Sequence, residues 1–246
     1  MRQAADDQGC ILAVDTATSC STVALTSGTR AGGRVLGSVS LSSNVTHSRR
    51  LLGAIDRLLA ETGCDKNGIA GYAVGLGPGS FTGLRIGMAT VKGLAAAAGK
   101  PLYGVSTLDI LAANCYDTRQ ICAVLDARKK EVYAAFYRAH QNGAPEAVTE
   151  VAAYSPESLA EVISEPTLMV GDGLAVYSEL WQERLGDMLC MAPSQLWSPS
   201  AATLGLIAGE LAVQGRHLEI ATAVPMYVRA SDAELNLQMR KKAASK

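Results

Sequence analysis

The chain has 246 residues, 48% of them hydrophobic and 18% charged, with a net charge of -1. That length suits one large domain or two small ones with a sizeable core, and the charge gives no overall basic field to attract nucleic acid. Its six cysteines include no Cys-x-x-Cys pair, which argues against a zinc site or a redox couple. Residues 1–9 are polar and unlike a signal peptide, and no apolar run is long enough to span a bilayer. A reduced, cytoplasmic protein is the expectation.

In chain order, residues 10–14 form a short apolar run ending in Asp15, whose carboxylate should emerge on a hydroxyl-rich turn of Thr16, Thr18 and Ser19. Residues 21–26 and 35–41 are further strand candidates, separated by glycine turns, so an antiparallel meander is expected. Thr46 is placed to cap a helix over 47–61, with Leu51, Ala54, Ile55, Leu58 and Leu59 as its apolar stripe.

Next comes a strand over 69–74 that runs into Gly75, Gly77, Pro78 and Gly79, residues that punctuate structure. Ser80 can cap the helix that follows, to about residue 98. At about 100° per residue, Phe81, Leu84, Met88, Val91 and Ala95 share one face. Gly83, Ile86, Gly87, Thr90, Leu94 and Ala97 share the opposite one, and the charges Arg85 and Lys92 form a narrow strip. A helix apolar on two sides needs two covers. The glycine face suits close packing on the chain's own sheet. The Phe81 face, with an apolar centre and charged edge, suits either a neighbouring helix or a partner. No lysine stands at Walker A spacing, so the turn is not a P-loop.

A strand over 102–105 and a helix over 106–115 complete this half, and the polar residues 117–120 mark a boundary between domains 1–117 and 118–246. The opening pattern then recurs. Residues 121–126 again form an apolar strand ending in an aspartate, Asp126. A turn over 127–130 precedes a strand over 131–137, with a further strand candidate over 148–153. A helix over 156–163, a strand over 167–170 entering Gly171-Asp172-Gly173, and a helix over 174–185 follow. Ser198 should cap a last helix to about residue 214, with Pro199 at its first position, before a short extended piece over 224–228. This is an internal duplication at a spacing of about 110 residues.

Two such halves, each opened by a strand ending in Asp, resemble the ASKHA superfamily (actin, Hsp70 and sugar kinases, with ribonuclease H-like domains). The fold expected is α/β, with two mixed sheets flanked by helices. The phrases Ile11-Leu12-Ala13-Val14-Asp15-Thr16-Ala17-Thr18, Thr46-His47-Ser48, the run from Gly75 to Gly87 and Pro225-Met226-Tyr227-Val228-Arg229 together resemble the bacterial TsaB (YeaZ) family. The resemblance implies a role in making threonylcarbamoyladenosine beside the tRNA anticodon. It implies a non-catalytic relative of TsaD that pairs with TsaD through helices of its N-terminal domain, with the ATPase TsaE joining the complex, contact with tRNA only indirect, and a homodimer possible when the chain is alone.

Superfamily members that hold ATP need glycine beside the strand-end Asp for close phosphate approach. Here Thr16 and Ala17 follow Asp15, and Ala127 and Arg128 follow Asp126, so no cofactor is expected. Gly171-Asp172-Gly173 reads as a relic of an adenosine turn, a helix C-cap or a plain loop. The TsaD side carries two histidines four apart on one helix face, as a metal pair requires. In this chain His47 takes the first place but Leu51 the second, and His140 and His217 lie in separate loops, so no metal is expected. Ser80 does not sit in Gly-x-Ser-x-Gly, and capping explains it. The tail cations Arg240, Lys241, Lys242 and Lys246 read as a solvated tail or a weak phosphate contact. The sites expected are therefore a partner interface of His47, Leu51, Phe81, Leu84, Arg85, Met88, Val91 and Lys92, without catalytic residues. An ATP-dependent kinase-like enzyme, a glycoprotease-like peptidase and a stand-alone homodimeric binder are the rival readings.

Overall fold

The computed structural model describes residues 9–42, 47–139 and 145–228, without the side chains of residues 47–49. The first half runs β1 (Cys10–Asp15), β2 (Cys20–Ser27), β3 (Arg34–Ser42), α1 (His47–Thr62), β4 (Ile69–Gly75), α2 (Phe81–Ala98), β5 (Leu102–Val105) and α3 (Thr107–Ala113). Its sheet has the order β3-β2-β1-β4-β5. The first three strands form the antiparallel meander read from the sequence, while β4 and β5 add in parallel. The central strand β1 is covered on both faces, which is why it is a continuous apolar run rather than an alternating one. Leu12 and Val14 face α1 and α2, packing with Leu51, Ile55, Leu58, Met88 and Val91. Ile11 and Ala13 face the opposite side.

The second half runs β6 (Gln120–Arg128), β7 (Glu131–Ala139), β8 (Pro145–Ala147), β9 (Ala152–Tyr154), α4 (Pro156–Val162), β10 (Thr167–Val170), α5 (Leu174–Leu185), β11 (Leu189–Met191) and α6 (Ala201–Val213). Its sheet order is β11-β10-β6-β7-β8, with β9 also on β7. Reading β6, β7 and β10 in the places of β1, β2 and β4, the two sheets have the same connectivity, so the duplication is structural as well as sequential. Both are mixed sheets flanked by helices.

Three details differ from the sequence reading. Residues 148–153 are not one strand. The short strands β8 and β9 flank the gap, and the exposed Thr149 accepts the Phe136 N–H on its hydroxyl at 3.0 Å. The strand β11 has no counterpart in the reading because three residues show no alternation. The cap of α6 is Ser200, which accepts from Thr203 N at 3.3 Å, so Pro199 precedes the helix instead of opening it.

The expected division at residue 117 separates the two sheets but not the layers around them. Helix α6 returns to the first sheet, where Leu204 and Ala208 pack with Ile11, Ala13 and Ala24. Its approach is close: a Cβ on Gly209 would lie 1.9 Å from the Gly28 carbonyl oxygen. Beyond it, residues 216–228 form a strap across the first half. Leu218 N donates to Leu102 O at 2.7 Å and Met226 N to Leu76 O at 2.8 Å. The first half is thus finished by the last described residues.

Candidate partner surface and interdomain cleft

The glycine-rich turn and α2 are built as their sequence dictates. Ser80 caps the helix, its hydroxyl accepting from Gly83 N at 3.3 Å. The glycine face lies on the β1–β2 turn. Thr16 donates its hydroxyl to Gly83 O at 2.8 Å, and a Cβ on Gly83 would sit 2.0 Å from the Thr16 carbonyl oxygen. Only glycine allows that approach.

The residues expected at a partner interface are placed differently. Leu51, Leu84, Met88 and Val91 are core residues, none more than 4% exposed. Phe81, Arg85 and Lys92 hold the chain's own strap. The Phe81 and Tyr227 rings stand 5.3 Å apart, and the Arg85 guanidinium lies 3.9 Å over the Phe81 ring, with its Nε donating to the Tyr227 hydroxyl at 3.3 Å. Lys92 Nζ donates to the Ala221 and Ala223 carbonyls. The His47 side chain, like Thr46, His140, Arg229 and the tail cations, falls outside the described residues. The physical reason for the correction is that the buried arc of α2 runs from Gly83 through Val91 to Met88, centred between the two apolar faces. One cover, the sheet with α1, takes both inner edges.

What α2 leaves outward is another stripe: Ala89, Gly93, Ala96 and Ala97, with Ile86 half-buried beside them. Helix α1 leaves Leu52, 52% exposed, and Gly53. Among the described residues, nothing approaches the place of a Cβ on Gly53 or Gly93. Unlike Gly83, these two helix glycines answer to no contact among the described residues.

Between the halves lies a cleft of about 390 Å³ where the turns after β1, β4, β6 and β10 converge with the strap. Asp15 does not line it. Fully buried, its Oδ1 accepts from Ala17 N at 2.8 Å and its Oδ2 from the Thr107 hydroxyl at 2.9 Å. Burial pushes its carboxyl up to about 6, against the pull of those two hydrogen bonds. Thr107 also accepts from Gly77 N, so Asp15 pins the β1, β4 and β5 turns together. Across the cleft, Asp172 Oδ1 accepts from Asp126 N at 2.9 Å. Burial, together with the neighbouring Asp126 carboxylate, raises Asp172 to about 6. Gly171-Asp172-Gly173 is therefore a strand-to-helix turn leading into α5, not a C-cap.

The residues present do not fit the ATP of the wider superfamily. No glycine follows either strand-end aspartate, and Asp15 is sealed behind its own hydrogen bonds. Among the described residues, no three His, Cys, Asp or Glu side chains converge on a metal position, and Ser80 makes no hydrogen bond to a base. No described helix is long and apolar enough to cross a membrane. The sequence shows the strap only as a short extended piece over 224–228, without its passage across the first half. Sequence reasoning also read 127–130 only as a turn, although the run Arg128-Lys129-Lys130 between two strands is a visible signal.

Known proteins share this architecture. Residues 34–237 match the family model described as TsaD, tRNA N6-adenosine threonylcarbamoyltransferase. The Escherichia coli tRNA threonylcarbamoyladenosine biosynthesis protein TsaB is 32% identical over 225 residues, 89% of this chain and 94% of that protein. The Bacillus subtilis protein of the same name is 30% identical over 195 residues, 76% of this chain and 82% of that one. The solved structure of YeaZ from Pseudomonas aeruginosa superimposes with a TM-score of 0.72 at 30% identity, covering 89% of this chain and 99% of that one. With sequence, connectivity and superposition agreeing over nearly its whole length, this chain belongs to the TsaB (YeaZ) family.

Proposed function

We propose that the chain is a non-catalytic scaffold subunit, acting in the cytoplasm, of the assembly that installs threonylcarbamoyl on the tRNA adenosine beside the anticodon. It binds and stabilises the catalytic subunit TsaD, and TsaE joins through that complex. The names of its relatives support the pathway, and the match to a TsaD family model supports pairing between two subunits built alike. The sealed Asp15 and the capping role of Ser80 support a role without chemistry of its own, against the peptidase-like reading.

The observation that carries the partner surface is the pair Gly53 and Gly93. A glycine inside a helix costs about 1 kcal/mol relative to alanine, and here no neighbour among the described residues requires one. Close approach by another helix gives that cost a purpose. The surface proposed is accordingly the outward stripe of α1 and α2, from Leu52 and Gly53 to Ala89 and Gly93, which also serves a homodimer when TsaD is absent. Gly93→Ala should stabilise the isolated chain by about 1 kcal/mol, raising its Tm by about 2–4 °C. Gly93→Gln should leave folding intact and weaken TsaD binding by about tenfold or more, a loss of about 1.4 kcal/mol. Calorimetric titration of TsaD with both variants checks this, and undiminished affinity of Gly93→Gln would remove the stripe from the interface.

A further inference from the structure

Strand β11 is the outer strand of the second sheet, and among the described residues no strand pairs with its free side. Ala192 N donates to Met169 O at 2.9 Å across the β10–β11 pair. The Met191 N–H, one residue earlier, therefore points to the open side, and Met191 is itself 42% exposed. An unpaired strand edge is a template for another extended segment.

The chain supplies such a segment. Residues 229–246 lie outside the described residues, and two lengths decide what they reach. The last described residue, Val228, lines the interdomain cleft with Asp126 and Asp172, which stand at the ends of β6 and β10. β11 lies two strands over from β6, about 10 Å away, and Met191 is level with Met169 of β10. The six residues 229–234 span up to ~20 Å, enough to bring residue 235 to the Met191 end of β11. From there Leu235-Asn236-Leu237-Gln238-Met239 alternates apolar and polar residues, the period of a half-covered strand. A segment that enters at the Met191 end runs antiparallel to β11.

Charge gives the same direction. Residues 145–215 carry ten acidic side chains against one basic, Arg184. Exposed Glu183 stands near the end of α5, and exposed Asp187 in the turn Gly186–Met188 that leads into the Leu189 end of β11. With residues 235–237 opposite 191–189, the cations Arg240, Lys241 and Lys242 follow just beyond Leu189. There the two carboxylates and the negative end of the α5 dipole favour positive charge.

We propose that residues 235–242 add to the free side of β11 as an antiparallel strand of the same chain, with Arg240, Lys241 and Lys242 held against Glu183 and Asp187. Because these residues continue the strap across the first half, the added strand staples the two halves together over the cleft. The tail cations are then engaged within the chain instead of being offered to RNA. The contact goes beyond the scaffold reading and stands whether or not that reading holds.

Hydrogen exchange at the Met191 amide tests this. Against a chain ending at Ala230, which keeps every described residue, the full chain should slow exchange of that amide by about tenfold or more, on the scale of one hydrogen bond. In the full chain, Leu237→Pro puts a ring and no N–H into the added strand. It should lose the protection while exchange in β1 stays that of the parent. Glu183→Lys with Asp187→Lys should lose it as well, and adding Arg240→Glu, Lys241→Glu and Lys242→Glu to that chain should restore it. Equal exchange in the full and shortened chains overturns the proposal, as does protection that Leu237→Pro leaves intact. Protection indifferent to both charge reversals overturns the placement of the cations. Protection that grows with protein concentration would put the tail on a second copy and overturn the contact within one chain.

Discussion

Met88→Asp should unfold the first half of the chain, not merely separate it from a partner. Met88 is 4% exposed and sits among Leu12, Val14, Leu51, Ile55 and Val91. A carboxylate there is desolvated without a counter-charge, at a cost of about 3–5 kcal/mol. That is a large share of the 5–15 kcal/mol by which a typical domain is stable, on the order of the whole for a marginal one. Urea unfolding of the isolated chain should show a midpoint shifted far toward water or a lost cooperative transition. Met88→Leu, which conserves volume, should stay within about 1.5 kcal/mol of the parent. If Met88→Asp instead left the isolated chain stable and abolished only its pairing, the side chain would belong to an interface and the packing of α2 described above would be wrong.

The second large effect is a fall in stability as pH rises from about 4 to about 6. The Asp15 carboxyl is raised in the folded chain from 3.8 to about 6. Between those values the native state keeps a proton that the unfolded chain has released. Stability is therefore greatest below the unfolded value and falls through this window. It levels off above the folded value, having lost about 3 kcal/mol from a shift of about 2 units at 1.36 kcal/mol each. Asp172, also raised to about 6, pushes in the same direction. Asp117 acts oppositely and lower: the Arg119 side chain holds it down to about 2, so its contribution grows as pH rises through the acid range. Asp15→Asn keeps an acceptor for Ala17 N and a polar partner for Thr107 without the ionisation. Denaturant midpoints measured across pH should show a clear decline for the parent and a much flatter curve for the variant. Parallel curves would mean that Asp15 does not carry the proton.

Apart from β11 and the split at 148–153, the order of elements was legible in the sequence, as were the Ser80 cap, the strand-end position of Asp15 and the close packing that the glycine face of α2 requires. Each depends on neighbours close in the chain or on a period that a helix or strand imposes. The covering of α2 was not legible. Its angular pattern shows two apolar arcs, but the arc that is buried depends on where the sheet lies beneath it. The strap that Phe81, Arg85 and Lys92 hold has no regular periodicity, and its hydrogen bonds run to Leu76 and Leu102, more than a hundred residues earlier. The return of α6 is hidden in the same way: an almost wholly apolar helix announces burial without naming the sheet it is buried on. The cations at 128–130 could be counted, but their left-handed backbone emerges only from the hairpin register.

The scaffold role is tested most directly by reconstituting tRNA modification from purified TsaD, TsaE, tRNA and a threonylcarbamoyl donor, with and without this chain, and quantifying the modified nucleoside. Modification should depend on the chain, and the folded Gly93→Gln variant should restore it poorly at equal concentration and better in excess. Equal yields of modified adenosine with the chain omitted would contradict the account.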